Sequence, residues 1–449
     1  MESIWTRETK IKSRESLPGD MEIEAVVIGA GMAGILTAYY LKQAGVNVIV
    51  LEADSIGSGQ TKNTTAKITS QHNLIYHRLL RTYGHQMAEH YAMANEEAIK
   101  AYDRLIKEKN IDCDFVRCPA YLYSQIEDRC LQQEAEAAKI LGIKASFEKE
   151  CELPFSVSGV VRFGEQARFQ PLKFLEKIAE EVTVYERTKV LKVEGKRVET
   201  ERGWVKANHI VFASHFPFIN MPGYYFARMY QERSYVVALE GAHITEGMYL
   251  GIDHGSLSFR PQENMLLLGG GSHRTGGNRK GGQYDRLRRR ALELYPNSRE
   301  WGYWSAQDCM TLDGIPYIGR FSHGRPDWYV TTGFGKWGMT TAMVSARILT
   351  ALITGENCQE ADIFSPQRRF TVRAAKEFLI HGGHTAKGLA KHVMPYKEKR
   401  IVPNCPHMGC RLEWNPEEES YDCPCHGSRF DSEGRLLDDP AQCDCRRKS

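Results

Sequence analysis

The sequence has almost no excess charge of either sign. Its 59 basic and 56 acidic residues leave a formal net charge of +3. This balance provides neither the basic surface of a nucleic-acid-binding protein nor the attraction that holds a protein to an anionic membrane. One basic run, RLRRR at Arg286 to Arg290, is flanked by helix formers and predicts a solvated helix face. We therefore expect neither nucleic acid nor a membrane among the partners.

A long apolar segment is also missing. The first twenty residues are polar and contain no apolar stretch typical of a secretory signal. The segment that most resembles a membrane span, Ala25 to Leu41, is uncharged over only 17 residues, which is the lower limit for crossing a bilayer. These two features predict a cytoplasmic protein.

The length and composition are those of a globular protein. The chain has 449 residues, of which 42% are hydrophobic and 26% charged, and this length suggests about two to four folding units. Cysteines are unevenly distributed, because six of the twelve fall between Cys405 and Cys445. We expect the scattered cysteines to be inert, half-buried thiols, whereas the terminal cluster requires a chemical explanation.

A dinucleotide-binding pattern occupies residues 22–54. An apolar run, Ala25 to Ile28, predicts a buried parallel strand, which is followed by a helical segment ending near Gly45 and a second strand, Val46 to Leu51. The motif residues are Gly29, Gly31, Gly34 and Glu52. In such a unit the glycines permit a tight turn, the approach of a pyrophosphate and close helix packing, while the acid accepts hydrogen bonds from a ribose.

Two further stretches indicate the rest of a cofactor site. After Glu52 comes ADSIGSGQTKNTTAKITSQH, whose small and hydroxylic residues can surround a second part of a cofactor. The predicted strand WYVTTG leads into a glycine-rich turn and then a helix that begins near Met339. The N-terminus of such a helix can face a polar ring or a phosphate. We therefore expect a flavin site assembled from both ends of the first 360 residues.

In these stretches the chain resembles the D-amino-acid-oxidase-type family, which includes glycine oxidase, sarcosine oxidase and the oxidases of polyamine derivatives. The resemblance covers about residues 22–360. It is carried by the Gly29 motif with Glu52 and by IGSGQTKNTTAK, QARFQPLKFL, TLDGIPYIG and GFGKWGMT. It implies an α/β (α+β) fold, with a Rossmann-like FAD-binding domain interleaved with a substrate domain on an antiparallel sheet. It also implies oxidation of a C–N bond by hydride transfer to the flavin.

Transferred by position, the resemblance assigns domains and cofactor contacts. The FAD-binding domain would comprise residues 22–90, 155–225 and 300–365, and the substrate domain residues 91–154 and 226–299. The residues expected to contact FAD are Gly29, Gly31, Gly34, Glu52, Thr61, Thr64, Thr65, Val190, Gly335, Gly338 and Met339.

Two departures from the family bear on the substrate and the acceptor. Many amino-acid-oxidising members have an arginine about five residues before the aspartate of the D-G-x-P-x-I-G stretch, where it clamps the substrate carboxylate; here Asp308 holds that place. An arginine donates several hydrogen bonds to a substrate carboxylate, whereas the Asp308 carboxylate can only accept them. Asp308 at this place therefore favours an amine substrate over an anionic one. Sarcosine-oxidase-like members also use a lysine over the flavin to activate oxygen. The comparable stretch, Met265 to Gly277, has no lysine, which indicates an acceptor other than oxygen.

The substrate pocket is less clearly marked in the sequence. The candidate catalytic residues are His215, Tyr235, His273 and Lys336, with Trp337 as a further lining residue. For both histidines the alternative is a hydrogen-bonded structural role. Met87 to Lys109 has apolar residues at helical spacing and predicts an amphipathic core helix.

The terminal cysteine cluster has the spacing of a metal site. Cys405 and His407 form C-x-H, and Cys423 and His426 form C-x-x-H. Two thiolates and two imidazoles from paired loops suit a tetrahedral metal such as zinc, although the single-residue gap in C-x-H is short for a zinc knuckle. The cysteines at matched places in the two loops are Cys410 and Cys425.

The whole pattern, C-P-H-x-G-C and then C-P-C-H-G-S-x-F-D, resembles the cluster-binding loops of Rieske 2Fe-2S domains. The implied roles are Cys405 and Cys423 as ligands of one iron, His407 and His426 as ligands of the other, and Cys410 with Cys425 as a bracing disulfide. This small all-β Rieske domain would span residues 393–449, after a linker at 366–392 that lets it move.

Together the two resemblances predict an FAD-dependent dehydrogenase of an amine or amino-acid-like C–N bond. Its electrons would pass singly through the Rieske cluster to an external one-electron acceptor or donor protein, because histidine ligands raise the cluster potential to about −150 to +300 mV. Two alternatives stay open: an oxygen-using FAD oxidase with a regulatory or structural cluster, and a redox sensor or electron shuttle. A Rieske oxygenase is disfavoured, because the sequence offers no convincing set of two histidines and a carboxylate for a mononuclear iron.

Overall fold

The computed structural model describes residues 2–390 and 404–445, which form three β-sheets with helices packed on the first two. The helices are α1 (Ile4–Glu8), α2 (Met32–Gln43), α3 (Tyr76–Tyr83), α4 (His85–Glu108), α5 (Arg129–Ile140), α6 (Pro171–Ala179), α7 (Tyr225–Arg228), α8 (Gln283–Leu294), α9 (Gly338–Thr354), α10 (Ala361–Phe364) and α11 (Val372–Ala390). The strands are β1 (Met21–Ile28), β2 (Val48–Leu51), β3 (Lys67–Ile68), β4 (Val116–Ser124), β5 (Ala145–Glu148), β6 (Gly159–Arg168), β7 (Thr183–Tyr185), β8 (Val190–Glu194), β9 (Arg197–Thr200), β10 (Gly203–Phe212), β11 (Met229–Glu240), β12 (Met248–Gly251), β13 (Ser258–Gln262), β14 (Met265–Arg274), β15 (Arg299–Thr311), β16 (Tyr317–Ser322), β17 (Arg325–Thr332), β18 (Glu413–Asn415), β19 (Ser420–Asp422), β20 (Arg429–Asp431) and β21 (Leu436–Asp438).

The first sheet contains the predicted dinucleotide-binding unit. Its order is β16-β17-β10-β1-β2-β7, and β1 pairs in parallel with both β10 and β2. The last four residues of β1, Ala25 to Ile28, are buried, as expected for a central strand covered on both faces. Helix α2 follows the glycine turn and packs against α9. The predicted strand–helix–strand order is confirmed, although β1 begins at Met21 rather than Ala25.

The second sheet is mostly antiparallel and contains the strands expected of a substrate domain. Its order is β15-β11-β14-β13-β12-β4-β6-β3, with β5 paired to β6. Three of its strands, β3, β6 and β15, come from segments that the sequence assigned to the FAD-binding domain. The described architecture confirms the predicted fold class, while the domain boundaries stay a prediction.

The third sheet is a small antiparallel unit near the C-terminus, in the order β18-β19-β20-β21. The start of the predicted terminal domain, residues 393–403, lies outside the described residues. The predicted linker at 366–392 contains helix α11, although Gly382 and Gly383 lie within it. Two glycines disfavour a helix by about 1 kcal/mol each, and contacts with the rest of the chain, described below, offset that cost. Within the described ranges, no helix combines the length and apolarity needed to cross a bilayer.

Candidate active site and metal centre

A cavity of about 1610 Å³ lies between the first and second sheets. It is larger than the roughly 300–1,000 Å³ typical of sites for drug-sized ligands, so it has room for a dinucleotide. Ten of the eleven residues expected to contact FAD line it, and Gly34 is the exception. A Cβ on Gly34 would lie 1.8 Å from the Gly29 carbonyl oxygen, so this glycine allows α2 to pack closely on the turn.

The turn after β1 has the geometry needed for a pyrophosphate. Gly29 has a φ of +108°, and a Cβ there would lie 2.6 Å from the carbonyl oxygen of Ala213. The Thr61 hydroxyl accepts a hydrogen bond from the Met32 N–H at 3.1 Å and so joins the second predicted cofactor stretch to the start of α2. These residues fit the diphosphate of FAD.

Glu52 is held in place at the end of β2. Its carboxylate accepts hydrogen bonds from the backbone N–H groups of Ala30 at 2.7 Å and Asp54 at 2.9 Å. Burial raises the pKa of Glu52 despite these bonds. Each oxygen keeps a second lone pair, so the carboxylate can still accept hydrogen bonds from ribose hydroxyls.

The opposite end of the cavity is formed by the loop before α9. Gly335 has a φ of +55°, and its N–H donates to the Cys309 carbonyl oxygen at 2.9 Å. Lys336 forms an ion pair with Glu232 at 2.9 Å and donates to the Ser272 hydroxyl at 2.9 Å. The N-terminus of α9, at Gly338 and Met339, also lines the cavity and can face a polar ring. The described residues therefore fit both ends of an FAD molecule.

Two carboxylates face the cavity from neighbouring strands. Glu232 on β11 and Asp308 on β15 are direct cross-strand partners, and both line the cavity. Burial raises the pKa of Asp308 to about 6, Lys336 opposes that rise, and Glu232 adds to it. The site therefore holds a carboxylate pair with one neutralising lysine where the family's arginine clamp is missing.

The predicted catalytic residues do not converge on one point. Lys336 lines the cavity beside the carboxylate pair, and Trp337 stacks on His72 with ring centroids 4.8 Å apart. His215 also lines the cavity, but the charged group that influences its pKa is Asp438 of the third sheet, which opposes the lowering caused by burial. It lies on the side where the C-terminal unit packs.

Tyr235 also lines the cavity, whereas His273 does not. The Tyr235 hydroxyl accepts a hydrogen bond from Asn278 at 3.3 Å, and its ring stacks on His273. His273 is not among the cavity-lining residues, whereas the preceding residue, Ser272, is. The lining of the cavity by β14 extends from Gly269 to Ser272 and stops before His273. The catalytic role of His273 stays a prediction.

Two cavity residues were missed as candidates, although both lie in the quoted cofactor stretch. Burial, with help from Arg260, lowers the pKa of Lys67 to about 8. Burial lowers the pKa of His72 to about 3, and its ring nitrogens contact the Tyr91 hydroxyl at 2.6 Å and the Thr69 carbonyl oxygen at 2.7 Å. The sequence signal was their position directly after the hydroxylic run.

The two C-terminal loops have the same turn. The carbonyl oxygen of Cys405 accepts from the Gly409 N–H at 2.8 Å, and that of Cys423 accepts from the Gly427 N–H at 3.0 Å. Both glycines have positive φ, +78° and +93°. The N–H of each leading cysteine donates to the carbonyl oxygen five residues on, at 2.8 Å in both loops, to Cys410 and to Ser428. The loops are therefore a matched pair that presents its ligands symmetrically.

The four predicted ligands form two adjacent pairs. The thiols of Cys405 and Cys423 contact each other, which lowers the pKa of Cys405 to about 7 and raises the pKa of Cys423. The rings of His407 and His426 have centroids 5.0 Å apart. Burial lowers the pKa values of His407 and His426 to about 4 and 3, so both imidazoles are neutral, as ligation requires. The Nδ1 atoms of both histidines are buried without a hydrogen-bond partner. Two orphaned imidazole nitrogens beside two buried thiols fit a 2Fe-2S cluster.

The predicted disulfide is present. It joins Cys410 to Cys425 and ties the two loops together. The Sγ atom of Cys423 lies within 4.8 Å of both disulfide sulfurs. Helix α11 covers the bridge, because a Cβ at Gly388 would lie 2.6 Å from the Cys425 Sγ atom. This contact, and the stacking of His381 on Tyr230 at 4.0 Å, hold α11 in place despite its central glycines.

The C-terminal unit packs against β11 and β15, the two strands that also line the cavity. Gln231 donates to the His426 carbonyl oxygen at 2.9 Å, and Gln307 donates to the Gly427 carbonyl oxygen at 2.9 Å. The next residues along these strands, Glu232 and Asp308, line the cavity. The same two strands therefore line the cavity and contact the second ligand loop, and Gln307 does both.

A buried charge network strengthens this contact. Arg233 of β11 forms an ion pair with Glu418, which also pairs with Arg429. Arg429 in turn pairs with Asp422 at 3.0 Å and Asp438 at 2.9 Å. Burial would raise the pKa of Glu418, but the guanidinium groups outweigh it and hold the value at about 2. The C-terminal unit is thus fixed on the second sheet by fully charged groups.

Comparisons with known proteins agree with both halves of this arrangement. The family of FAD-dependent oxidoreductases named DAO matches residues 24–352, and the Rieske 2Fe-2S domain matches residues 397–446. The YhfW protein of Bacillus subtilis (strain 168), whose name describes a Rieske 2Fe-2S iron-sulfur protein, is 34% identical over 98% of this chain and 96% of its own length. Cytochrome b6-f complex iron-sulfur subunit 2 of Trichormus variabilis is 51% identical over 9% of this chain and 23% of its own length.

Solved structures share the fold of the larger part. Glycine oxidase from Geobacillus kaustophilus superposes with a TM-score of 0.67 at 17% identity and covers 78% of this chain and 99% of its own. L-proline dehydrogenase from P. horikoshii gives a TM-score of 0.65 at 17% identity, over 78% of this chain and 98% of its own. At these identities the likeness concerns the fold alone.

Proposed function

The chain belongs to the DAO family of FAD-dependent oxidoreductases and carries a C-terminal Rieske 2Fe-2S domain, and from this premise we propose that it dehydrogenates the C–N bond of an amine or amino-acid-like substrate. When bound, the flavin supplies a hydride acceptor and the cluster a one-electron carrier that serves an external acceptor protein. The observation that carries the proposal is the shared pair of strands, β11 and β15, which line the cavity and also contact the second ligand loop.

The charges at the far end of the cavity favour a cationic substrate. Glu232 and Asp308 present two acceptors, while Lys336 neutralises one of them. An ammonium group bound there would replace water with hydrogen bonds to a carboxylate. A substrate carboxylate at the same place would be repelled by Asp308.

Asp308 is also placed to act as a base. An amine must lose its extra proton before a hydride can leave the adjacent carbon. The pKa of Asp308, raised by burial to about 6, leaves the group ionised at neutral pH and yet more basic than an ordinary aspartate. We therefore assign proton removal to Asp308 and orientation of the carboxylate pair to Lys336.

The route for electrons follows the same strands. From Glu232 at the cavity the chain leads to Gln231, whose side chain donates to the His426 carbonyl oxygen at 2.9 Å. Residues of β11 thus reach from the cavity lining to the second ligand loop. The network of Arg233, Glu418 and Arg429 holds this contact in place.

The proposal is tested by anaerobic mixing of the protein with a series of primary and secondary amines while flavin absorbance is followed. Asp308→Asn should slow bleaching by about 100-fold or more, since general bases contribute about 10²–10⁴-fold. Glu240→Gln is the matched control, because Glu240 lies on β11 but pairs with exposed Arg299, and it should bleach at the wild-type rate. Equal rates in the two variants would remove Asp308 from the mechanism. A flavin that no amine bleaches, although dithionite does, would favour the redox-sensor alternative.

One observation favours the oxygen-using alternative. Lys67 places a buried amine with a pKa of about 8 in the FAD cavity, although the stretch that carries the family's lysine has none. A hydrogen peroxide yield equal to the substrate consumed in air, and lost in Lys67→Met, would establish an oxidase. A dehydrogenase predicts a small peroxide yield and turnover that depends on an added one-electron acceptor.

A further inference from the structure

We propose that residues 436–445, here called the closing segment, form a wall of the FAD site, so that tight FAD binding requires a docked Rieske domain. The segment comprises β21 and the chain that follows it. This coupling is separate from electron transfer, because it concerns retention of one cofactor by the domain that holds the other.

The closing segment borders the FAD cavity. The members of the closing segment that line the FAD cavity are Leu436, Leu437, Asp438, Asp439, Gln442 and Asp444. The Asp439 carboxyl lies close enough to Glu52, the expected ribose ligand, for the two charges to interact. The Rieske domain therefore covers the part of the cavity assigned to the dinucleotide.

The closing segment is attached beside the expected FAD contacts. Gln60, next to Thr61, donates to an Asp438 carboxylate oxygen at 2.9 Å. Lys189, next to Val190, donates to the Gln442 carbonyl oxygen at 2.6 Å. Each bond joins the closing segment to a residue next to an expected FAD contact. Displacement of the segment would therefore open the FAD site and free Gln60 and Lys189 from these bonds.

The closing segment is also linked to the second ligand loop. The Ala441 N–H donates to the Ser428 hydroxyl at 3.0 Å, and the Ser428 carbonyl oxygen accepts from the Cys423 N–H at 2.8 Å. Without its metal, the second ligand loop would no longer hold Cys423 in place. Because Cys423 bonds to Ser428 and Ser428 bonds to Ala441, the closing segment would then lose this attachment. Coupling of two binding events is reciprocal, so FAD should also stabilise the docked domain.

The test measures FAD release from the full chain, with both cofactors bound, as the rise in flavin fluorescence after dilution. Gln60→Ala and Asp438→Ala both remove the bond between these two side chains, and each should speed release about tenfold. Gln60→Ala also removes the acceptor of the Gln307 N–H, and Asp438→Ala a partner of Arg429. The double variant should release FAD more slowly than the product of the two single effects predicts, because the shared bond can be lost only once. Lys192→Ala, at the surface of β8 beside Glu194, is the control and should leave release unchanged.

Two results would overturn the proposal. Wild-type release from Asp438→Ala would mean that the closing segment has no part in FAD binding. Unchanged release after iron is removed by a chelator under reducing conditions would mean that cluster and FAD binding are independent. The visible circular dichroism of the cluster, recorded on each variant first, ensures that the variants compared have a folded Rieske domain.

Discussion

Replacement of Arg233 by methionine tests the fixed docking of the Rieske domain. The side chains of Arg233 and Glu418 are only 3% and 1% exposed, so water cannot replace the lost partner. Removing one member of a buried pair costs about 3–5 kcal/mol. Because Arg429 still pairs with Glu418, we expect the lower part of that range, about 3 kcal/mol. Methionine fills a similar volume, so the change concerns mainly charge.

The assay is urea unfolding followed by the visible circular dichroism of the cluster, with flavin fluorescence as a second probe. Arg233→Met should lower the unfolding midpoint seen by the cluster signal. Arg299→Met is the control, because Arg299 is 81% exposed where it pairs with Glu240, and such pairs contribute at most about 1 kcal/mol. Equal midpoints for the two variants would refute the reasoning.

The pH dependence of the same variant gives a second readout. The folded pKa of Glu418, about 2, is below its unfolded value of about 4.3. This carboxylate therefore adds stability above about pH 4, and that stability is lost as the pH falls through 4 towards 2. Arg233→Met raises the folded pKa, so part of the loss is already present at pH 7 and the variant should lose less between pH 5 and 3 than the wild type.

Three other predictions concern the cluster and the closing segment. The Nε2–H of His407 donates to the Asn220 side-chain oxygen at 2.8 Å, which makes the imidazole a stronger electron donor; Asn220→Ala should raise the cluster potential by about 20–60 mV, and an unchanged value in a redox titration would contradict this. The disulfide between Cys410 and Cys425 closes a 15-residue separation, so the double serine variant should lose about 3 kcal/mol in a denaturation curve, and wild-type stability would speak against a bracing role. Burial and Asp438 raise the pKa of Asp439 to about 7. Ionisation of Asp439 therefore destabilises the folded protein from about pH 4 upward, and the destabilisation is complete above pH 7. The melting temperature of Asp439→Asn should exceed that of the wild type at pH 7.5, and the difference should vanish near pH 4.

Local motifs allowed the cofactor sites to be predicted from sequence. The glycine turn with Glu52 and the two ligand loops are each specified by residues within a short stretch, because backbone φ values, close approaches and ligand spacing are local properties. The matched turns at Gly409 and Gly427 follow directly from that spacing.

Features that depend on distant contacts could not be predicted in the same way. The glycine pair in α11 indicated a linker, but packing on the disulfide and on Tyr230 decides its structure. The contacts of His273 likewise depend on a distant residue, because its ring stacks on Tyr235 of β11. The contact between Asp439 and the FAD cavity joins residues that are hundreds of positions apart, and no local pattern reports it.

The central claim is that a flavin and a Rieske cluster in this chain are connected across β11 and β15. Anaerobic photoreduction of the purified protein, followed by low-temperature EPR with iron and zinc analysis on the same sample, tests it most directly. The account predicts about two iron atoms per chain and a Rieske-type signal that grows as the flavin bleaches. Zinc in place of iron, or a fully bleached flavin beside a cluster that stays oxidised, would contradict it.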